Sequence, residues 1–283
     1  MLTMDDLRRR RCLIIQADDL AMSHSINQAS FNALETGAIT SASVMSPCAS
    51  LSEVAEFSAR HPTADFGLHL TLTSECPNSK WGPLSQHADR EGLVDHAGYF
   101  PSEVDALRLT VGSIVDEGMS QFRAIEKAGI NPTHIDCHMM AAFSTPNLLR
   151  SYLELVAKMN RLAFIPPALR PQCWEYAPQI RHLIPEVKRI VIVKPSISPE
   201  AWTQFYVSAI EALPIGLTLL IVHLGYADAE LERVRSGRKN WDAAWRQRDF
   251  DAMMSSHFRK ALQDNMICLL SWRDLANLHL TSM

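Results

Sequence analysis

Two adjacent carboxylates, Asp18 and Asp19, close the apolar run from Cys12 to Ala17 (CLIIQA). Neighbouring carboxylates repel when both are buried and unpaired. A divalent cation relieves that repulsion by holding one of them ionised, and the other can act as a base toward water on the same metal. Alternation at a strand end points the two side chains in different directions, so separate roles are expected. The structural alternative is a turn or cap pair opening the next helix, but Ser23 already offers a cap there.

Three further strand candidates end in histidine. In GLHLTL, Leu68, Leu70 and Leu72 share one face, which leaves His69 on the other. In THIDCH the alternation is strict. His134, Asp136 and His138 fall on one face, and Ile135 and Cys137 on the other. Three ionisable groups on one strand face are not ordinary core. His138 is nearest the carboxyl end and is the better ligand candidate. Asp136 reads as a group that orients a ligand or a nearby base, and His134, set deeper, as structural. Cys137 as a thiolate ligand is the runner-up. His223 ends the most apolar strand, LTLLIVHLGY. Desolvation would lower its pKa and a carboxylate would raise it, and either suits proton transfer near neutral pH. Taken singly, His69 and His223 would each read as a hydrogen-bonded core histidine. Together with Asp18-Asp19 they point to one site.

The other histidines carry less. His24 opens a helix and His61 precedes a proline. His182, His257 and His279 lie in helical or loop patterns. His87 and His96 sit in a long loop, where solvation is the plainer reading. Trp81 and Tyr99 in that loop could stack on a sugar ring or pin the loop to the body.

The elements that must position these groups alternate between apolar runs and helical patterns. Strands are expected near Cys12–Ala17, Ile39–Met45, Asp65–Leu72, His134–His138, Leu162–Ile165, Ile190–Val193, Leu217–His223 and Met266–Ser271. Helices are expected near Ser23–Thr36 and Leu51–Arg60, over a long stretch with Val104 to Ile125 on its apolar face that stops at Gly129, and near Asn147–Met159, Ala201–Ala212 and Trp241–Gln263, with a last one from Trp272. Between Ser74 and Pro101 the pattern dissolves into a loop long enough to suggest a lid or binding role. The expected fold is a TIM-like (β/α) barrel of seven or eight parallel strands, irregular in part. No Gly-rich nucleotide turn follows the first strand, which argues against an open dinucleotide-binding sheet. In a barrel, carboxyl strand ends converge on one face, where such enzymes place their chemistry.

The chain has 283 residues, 47% hydrophobic and 20% charged, with a formal net charge of -4. One domain spanning 1–283 is expected. Nothing electrostatic points to nucleic acid or an anionic membrane. The basic run Arg8–Arg11 reads as a solvated flank. No apolar run is long enough to cross a bilayer, and no signal peptide is read at the N-terminus. Six cysteines without a C-x-x-C pair suggest reduced thiols, and a cytoplasmic location is expected. The sequence is silent on oligomeric state, and a homodimer is compatible with it.

The segments ADDLAMSHSIN, GLHLTLTSE, THIDCH and VHLGY, in this order and spacing, resemble the YdjC-like (ChbG-type) carbohydrate deacetylases. The resemblance covers most of the chain, including the GPLS...LVD...GYF loop. It implies a (β/α) barrel that uses a divalent metal, zinc or magnesium, to remove acetyl groups from N-acetylated sugars such as chitooligosaccharides. Carried over by position, it makes Asp19, His69 and His138 metal ligands, Asp18 the base and His223 the acid. Two departures stand out. Leu20-Ala21 replaces a common Phe-Gly, and Met139-Met140-Ala141-Ala142 replaces a histidine-rich stretch, so the substrate could differ from chitooligosaccharide. Two other readings are open. Two histidines and one carboxylate also form the facial triad of non-haem iron oxygenases. A sugar-binding barrel that has lost turnover would also fit the missing histidines.

Overall fold

Strand β1 (Arg11–Leu20) is buried at nine of its ten residues. A parallel strand covered on both faces is apolar throughout, and CLII supplies this. The computed structural model describes residues 3–86, 92–107, 111–237 and 240–281. After α1 (Met4–Arg9) and β1, the chain forms α2 (His24–Glu35), β2 (Ser41–Val44), α3 (Leu51–Arg60), β3 (Phe66–Leu70), α4 (Val111–Lys127), β4 (His134–Cys137), α5 (Pro146–Met159) and β5 (Leu162–Ala163). It continues through α6 (Arg170–Tyr176), β6 (Val187–Val191), α7 (Trp202–Glu211), β7 (Gly216–Val222), α8 (Ala229–Val234), α9 (Ala243–Met254), α10 (Ser256–Asp264), β8 (Cys268–Leu269) and α11 (Trp272–Thr281).

The strand order is β5-β4-β3-β2-β1-β7-β6, and the ladders are parallel. β8 pairs with the lower part of β1, Cys12 facing Cys268 and Leu13 facing Leu269. β2 pairs only with the upper part, from Gln16 onward. The expected barrel is therefore present in irregular form. Among the described residues β5 and β6 do not pair with each other, so the ring is open between them.

Alternate residues of the central strands enter different clusters. Leu13, Ile15, Ala17, Leu220 and Val222 pack with the helices. Cys12, Ile14, Leu217, Leu219 and Ile221 gather inside with Trp272 and Leu275 of α11. Continuing that inner face toward the carboxyl end of β1 gives Gln16 and Asp18, so an apolar floor gives way to polar groups at the top. Gly67 is required on this face. A Cβ there would come within 2.3 Å of the His134 ring, which stacks on Trp272 at 4.8 Å.

β5 is shorter than expected, β6 runs Val187–Val191 rather than Ile190–Val193, α1, α6 and α8 were not expected, and two helical patterns are divided differently in the structure. The helical pattern over Trp241–Gln263 is broken at Ser255, which is extended at ψ 144 and whose side chain accepts from the Phe258 N–H. One segment thus becomes α9 and α10, because a serine N-cap restarts the helix. Val104 lies not in the long helix but in a separate 3-10 turn, Val104–Ala106. No described helix is long and apolar enough to cross a membrane.

Candidate metal centre

Asp18 and Asp19 do not part company as strict alternation would require. The β1–β2 register shifts between Ala17 and Leu20. Asp19 is in the left-handed region at φ 71, as is Ala21 at φ 76. Aspartate tolerates that conformation better than most side chains, and the irregularity brings both carboxylates to one end of the barrel.

Asp19 Oδ1 lies 3.0 Å from His138 Nδ1 and 3.3 Å from His69 Nε2. The two ring nitrogens are 3.3 Å apart. Two-ångström bonds to a tetrahedral cation put neighbouring ligand atoms about 3.3 Å apart, so the triangle has the right size. Asp19 Oδ1 is enclosed and accepts no well-formed hydrogen bond. The donor set and the orphaned oxygen both fit a divalent cation.

Each imidazole is turned by a carboxylate on its other nitrogen. Asp136 Oδ1 is 2.7 Å from His69 Nδ1, and Glu75 Oε2 is 3.0 Å from His138 Nε2. A proton on the outer nitrogen leaves the inner lone pair free for a metal. His69 therefore offers Nε2 and His138 offers Nδ1. Two buried arginines complete the frame. Arg246 Nη2 donates to Asp19 Oδ2 at 2.6 Å, and Arg235 Nη1 donates to Glu75 Oε1 at 2.6 Å. The Trp241 carbonyl accepts from both, from Arg235 Nε at 2.9 Å and Arg246 Nε at 3.3 Å.

Charges follow this geometry. Burial works against the Asp19 carboxylate, but Arg246 and His138 outweigh it and hold its pKa well below the usual range. Burial pushes Asp18 up to about 7, helped by Asp136 and Asp19 and opposed by His69. Burial lowers His138, yet Glu75 and Asp19 hold it at about 9. Burial pulls His223 down to about 3.

His223 stands apart from the triangle. Its backbone N–H donates to Asp249 Oδ2 at 2.9 Å, its ring meets Trp241 edge-on at 6.1 Å, and its Nδ1 is enclosed without a partner. Asp19 and His69 are close enough to bias its charge. Asp136 and His134 sit where alternation put them. Cys137, the alternative thiolate ligand, instead faces the backbone, with the Ala142 N–H 3.2 Å from its Sγ. Trp81 is buried and pins the loop through Nε1–H to the Thr73 carbonyl at 2.7 Å, with its ring 6.4 Å from His138. Tyr99 is exposed under Lys80. His24, His96, His182 and His257 are exposed, and His61 pairs with Glu35. His87 and the side chain of His279 lie outside the described residues. Glu75, Arg235 and Arg246 carry no signal that sequence reasoning used. Glu75 ends the GLHLTLTSE segment, and that adjacency to His69 was its one available cue.

A parallel α/β barrel that gathers carboxylates and imidazoles at its carboxyl strand ends has the build of a barrel enzyme. The chain belongs to the YdjC-like protein family, whose model matches residues 12–264. It is 31% identical over 273 residues to the carbohydrate deacetylase of Thermus thermophilus, covering 93% of each chain. It is 32% identical over 157 residues to the carbohydrate deacetylase of Geobacillus stearothermophilus, covering 55% of this chain and 60% of that one. A solved Enterococcus faecalis structure, proposed to be a cellobiose-phosphate cleavage protein, shares the fold at a TM-score of 0.77 and 23% identity, covering 94% of this chain and 99% of that one.

Proposed function

We propose that this chain is a metal-dependent hydrolase that removes the acetyl group from an N-acetylated sugar. The observation that carries the reading is the Asp19, His69 and His138 triangle, with each imidazole turned inward by a buried carboxylate. The full-length likeness to a carbohydrate deacetylase supports the substrate class. Two imidazoles and one carboxylate suit zinc better than magnesium, which prefers an all-oxygen octahedron.

A cation held by those three side chains would supply Lewis acidity and lower the pKa of water beside it. The protein's own groups do the rest. Asp18, with a proton affinity raised by burial to about 7, takes a proton from the attacking water near neutral pH. His223 is uncharged in the resting site. Negative charge that develops beside it during attack favours its protonated form, so it takes up a proton from solvent and delivers it to the leaving amine, while Asp18 returns the water's proton to solvent. Acetate and a free amino sugar are the products. Asp18 also favours hydrolysis over the iron-oxygenase reading, because a facial triad has no need of a second carboxylate as base.

Metal analysis of the purified protein, coupled to acetate release from a panel of N-acetylated sugars, tests the reading. Asp19→Ala and His138→Ala should each lose bound metal and turnover. Full metal content in both variants would refute the ligand assignment.

A further inference from the structure

Gln16 is fully buried on the inner face of β1, two residues before Asp18. Trp272 Nε1–H donates to its Oε1 at 2.7 Å. An indole N–H can only donate, so this contact fixes which end of the amide is oxygen. Both amide protons are then aimed at carboxylates. One reaches Asp18 Oδ1 at 2.7 Å and the other reaches Asp136 Oδ2. Ser43 Oγ adds a second donor to Asp18 Oδ1 at 3.1 Å. That oxygen is therefore occupied, while Oδ2 of Asp18 accepts from no described residue. The other oxygen of Asp136 faces His69 Nδ1 at 2.7 Å. One amide thus ties the carboxylate proposed as base to the carboxylate that turns a proposed metal ligand.

We propose that Gln16, locked by Trp272, is a positioning residue that selects Asp18 Oδ2 as the basic atom and sets its distance from the His69 ligand. This role rests on the deacetylase reading. An aliphatic side chain of equal length would fill the same space on the barrel's inner face, so packing alone does not call for an amide here. The amide has three partners and satisfies all three. Buried polar networks of this kind fix geometry when every member is paired.

The test uses Gln16→Met, Trp272→Phe and the double variant, with N-acetylglucosamine oligomers as probe and saturating zinc. Zinc stoichiometry and the melting temperature of the metal-free proteins are measured alongside. For Gln16→Met, kcat should fall roughly 10- to 100-fold, the range for groups that orient catalytic or metal-binding residues. KM should stay within about twofold, because substrate contacts are untouched. Zinc stoichiometry should be unchanged. Trp272→Phe should give a smaller fall in kcat, and the double variant should be no slower than Gln16→Met, since both act through one amide. Additive losses, or full kcat in Gln16→Met, would overturn the role. So would weaker zinc affinity with normal kcat at saturation, which would place Gln16 on the ligand side alone. If Gln16→Met does not fold, Trp272→Phe decides, and wild-type kcat there overturns the role. A wild-type protein that binds zinc but releases no acetate overturns the deacetylase reading, and this role with it.

Discussion

Replacing Glu75 with glutamine should weaken the metal centre without touching a proposed ligand. The side chain is 2% exposed and serves two donors, His138 Nε2 at 3.0 Å and Arg235 Nη1 at 2.6 Å. An amide has one acceptor oxygen, so it satisfies one donor and turns N–H groups toward the other. If it keeps Arg235, His138 loses the acceptor that holds its Nδ1 lone pair inward. Loss of such an orienting partner costs roughly 10- to 100-fold in metal affinity, or about 1.4–2.7 kcal/mol. Either way the buried Arg235 guanidinium loses its counter-charge, and where the amide nitrogen is turned toward it the loss reaches about 3–5 kcal/mol of folding stability. At about 2 °C per kcal/mol for a chain of this size, that lowers the melting temperature by about 6–10 °C. Competition titration of zinc against a chelator measures the first effect, and calorimetry of the metal-free protein the second. Zinc affinity within about twofold of wild type, with melting also unchanged, would refute the argument.

Three other outcomes follow from the same geometry. Glu75 and Asp19 hold His138 at about 9 against burial, and Asp136 and Asp18 raise His69 as well, so zinc must displace a proton from each imidazole, and affinity should rise more than tenfold, up to about a hundredfold, per pH unit near neutrality. Since both folded pKa values lie above the ordinary 6.5, the matching stabilisation of the metal-free fold is complete below 6.5 and lost as pH rises, for His138 through about 9. A zinc affinity flat between about pH 6 and 8 would contradict both. Gly67→Ala drives a Cβ to within 2.3 Å of the His134 ring and should destabilise the fold by about 1–3 kcal/mol in denaturant unfolding, whereas an unchanged midpoint would mean the ring moves freely. Glu117 is fully buried and accepts the Leu84 and Ser85 N–H groups at 3.1 and 2.8 Å. Glu117→Ala should speed limited proteolysis of the 74–101 loop, and equal cleavage rates would show the loop is held elsewhere.

The strand-end groups were legible because polar residues are rare in runs such as CLIIQA and LTLLIV. Alternation alone placed Asp136 beside His138, and the structure turns that neighbour onto His69. What failed was the local geometry of Asp19. Alternation sends it away from Asp18, and only a left-handed residue at a register shift returns it. Arg235 and Arg246 were illegible for another reason. They reach Glu75 and Asp19 across 160 and 227 residues of chain, and an arginine in a loop or a helical pattern ordinarily reads as surface. The break at Ser255 left a cue, a serine three residues before Phe258, which hydrophobic periodicity overrode. The gap between β5 and β6 follows from a two-residue β5, a length that an apolar run ending in Pro166-Pro167 does not reveal.

The two imidazoles differ in reach, because His69 offers Nε2 and His138 offers Nδ1. A carboxylate oxygen of aspartate occupies nearly the same place as Nδ1 of histidine, whereas matching Nε2 takes the longer glutamate. Position 138 is therefore open to a single-nucleotide change, histidine to aspartate, that keeps a donor in place. Position 69 has no such step to a carboxylate, since histidine to glutamate needs two nucleotide changes. Drift in donor type, and with it in metal preference, should enter this lineage at the residue just after β4 rather than through β3.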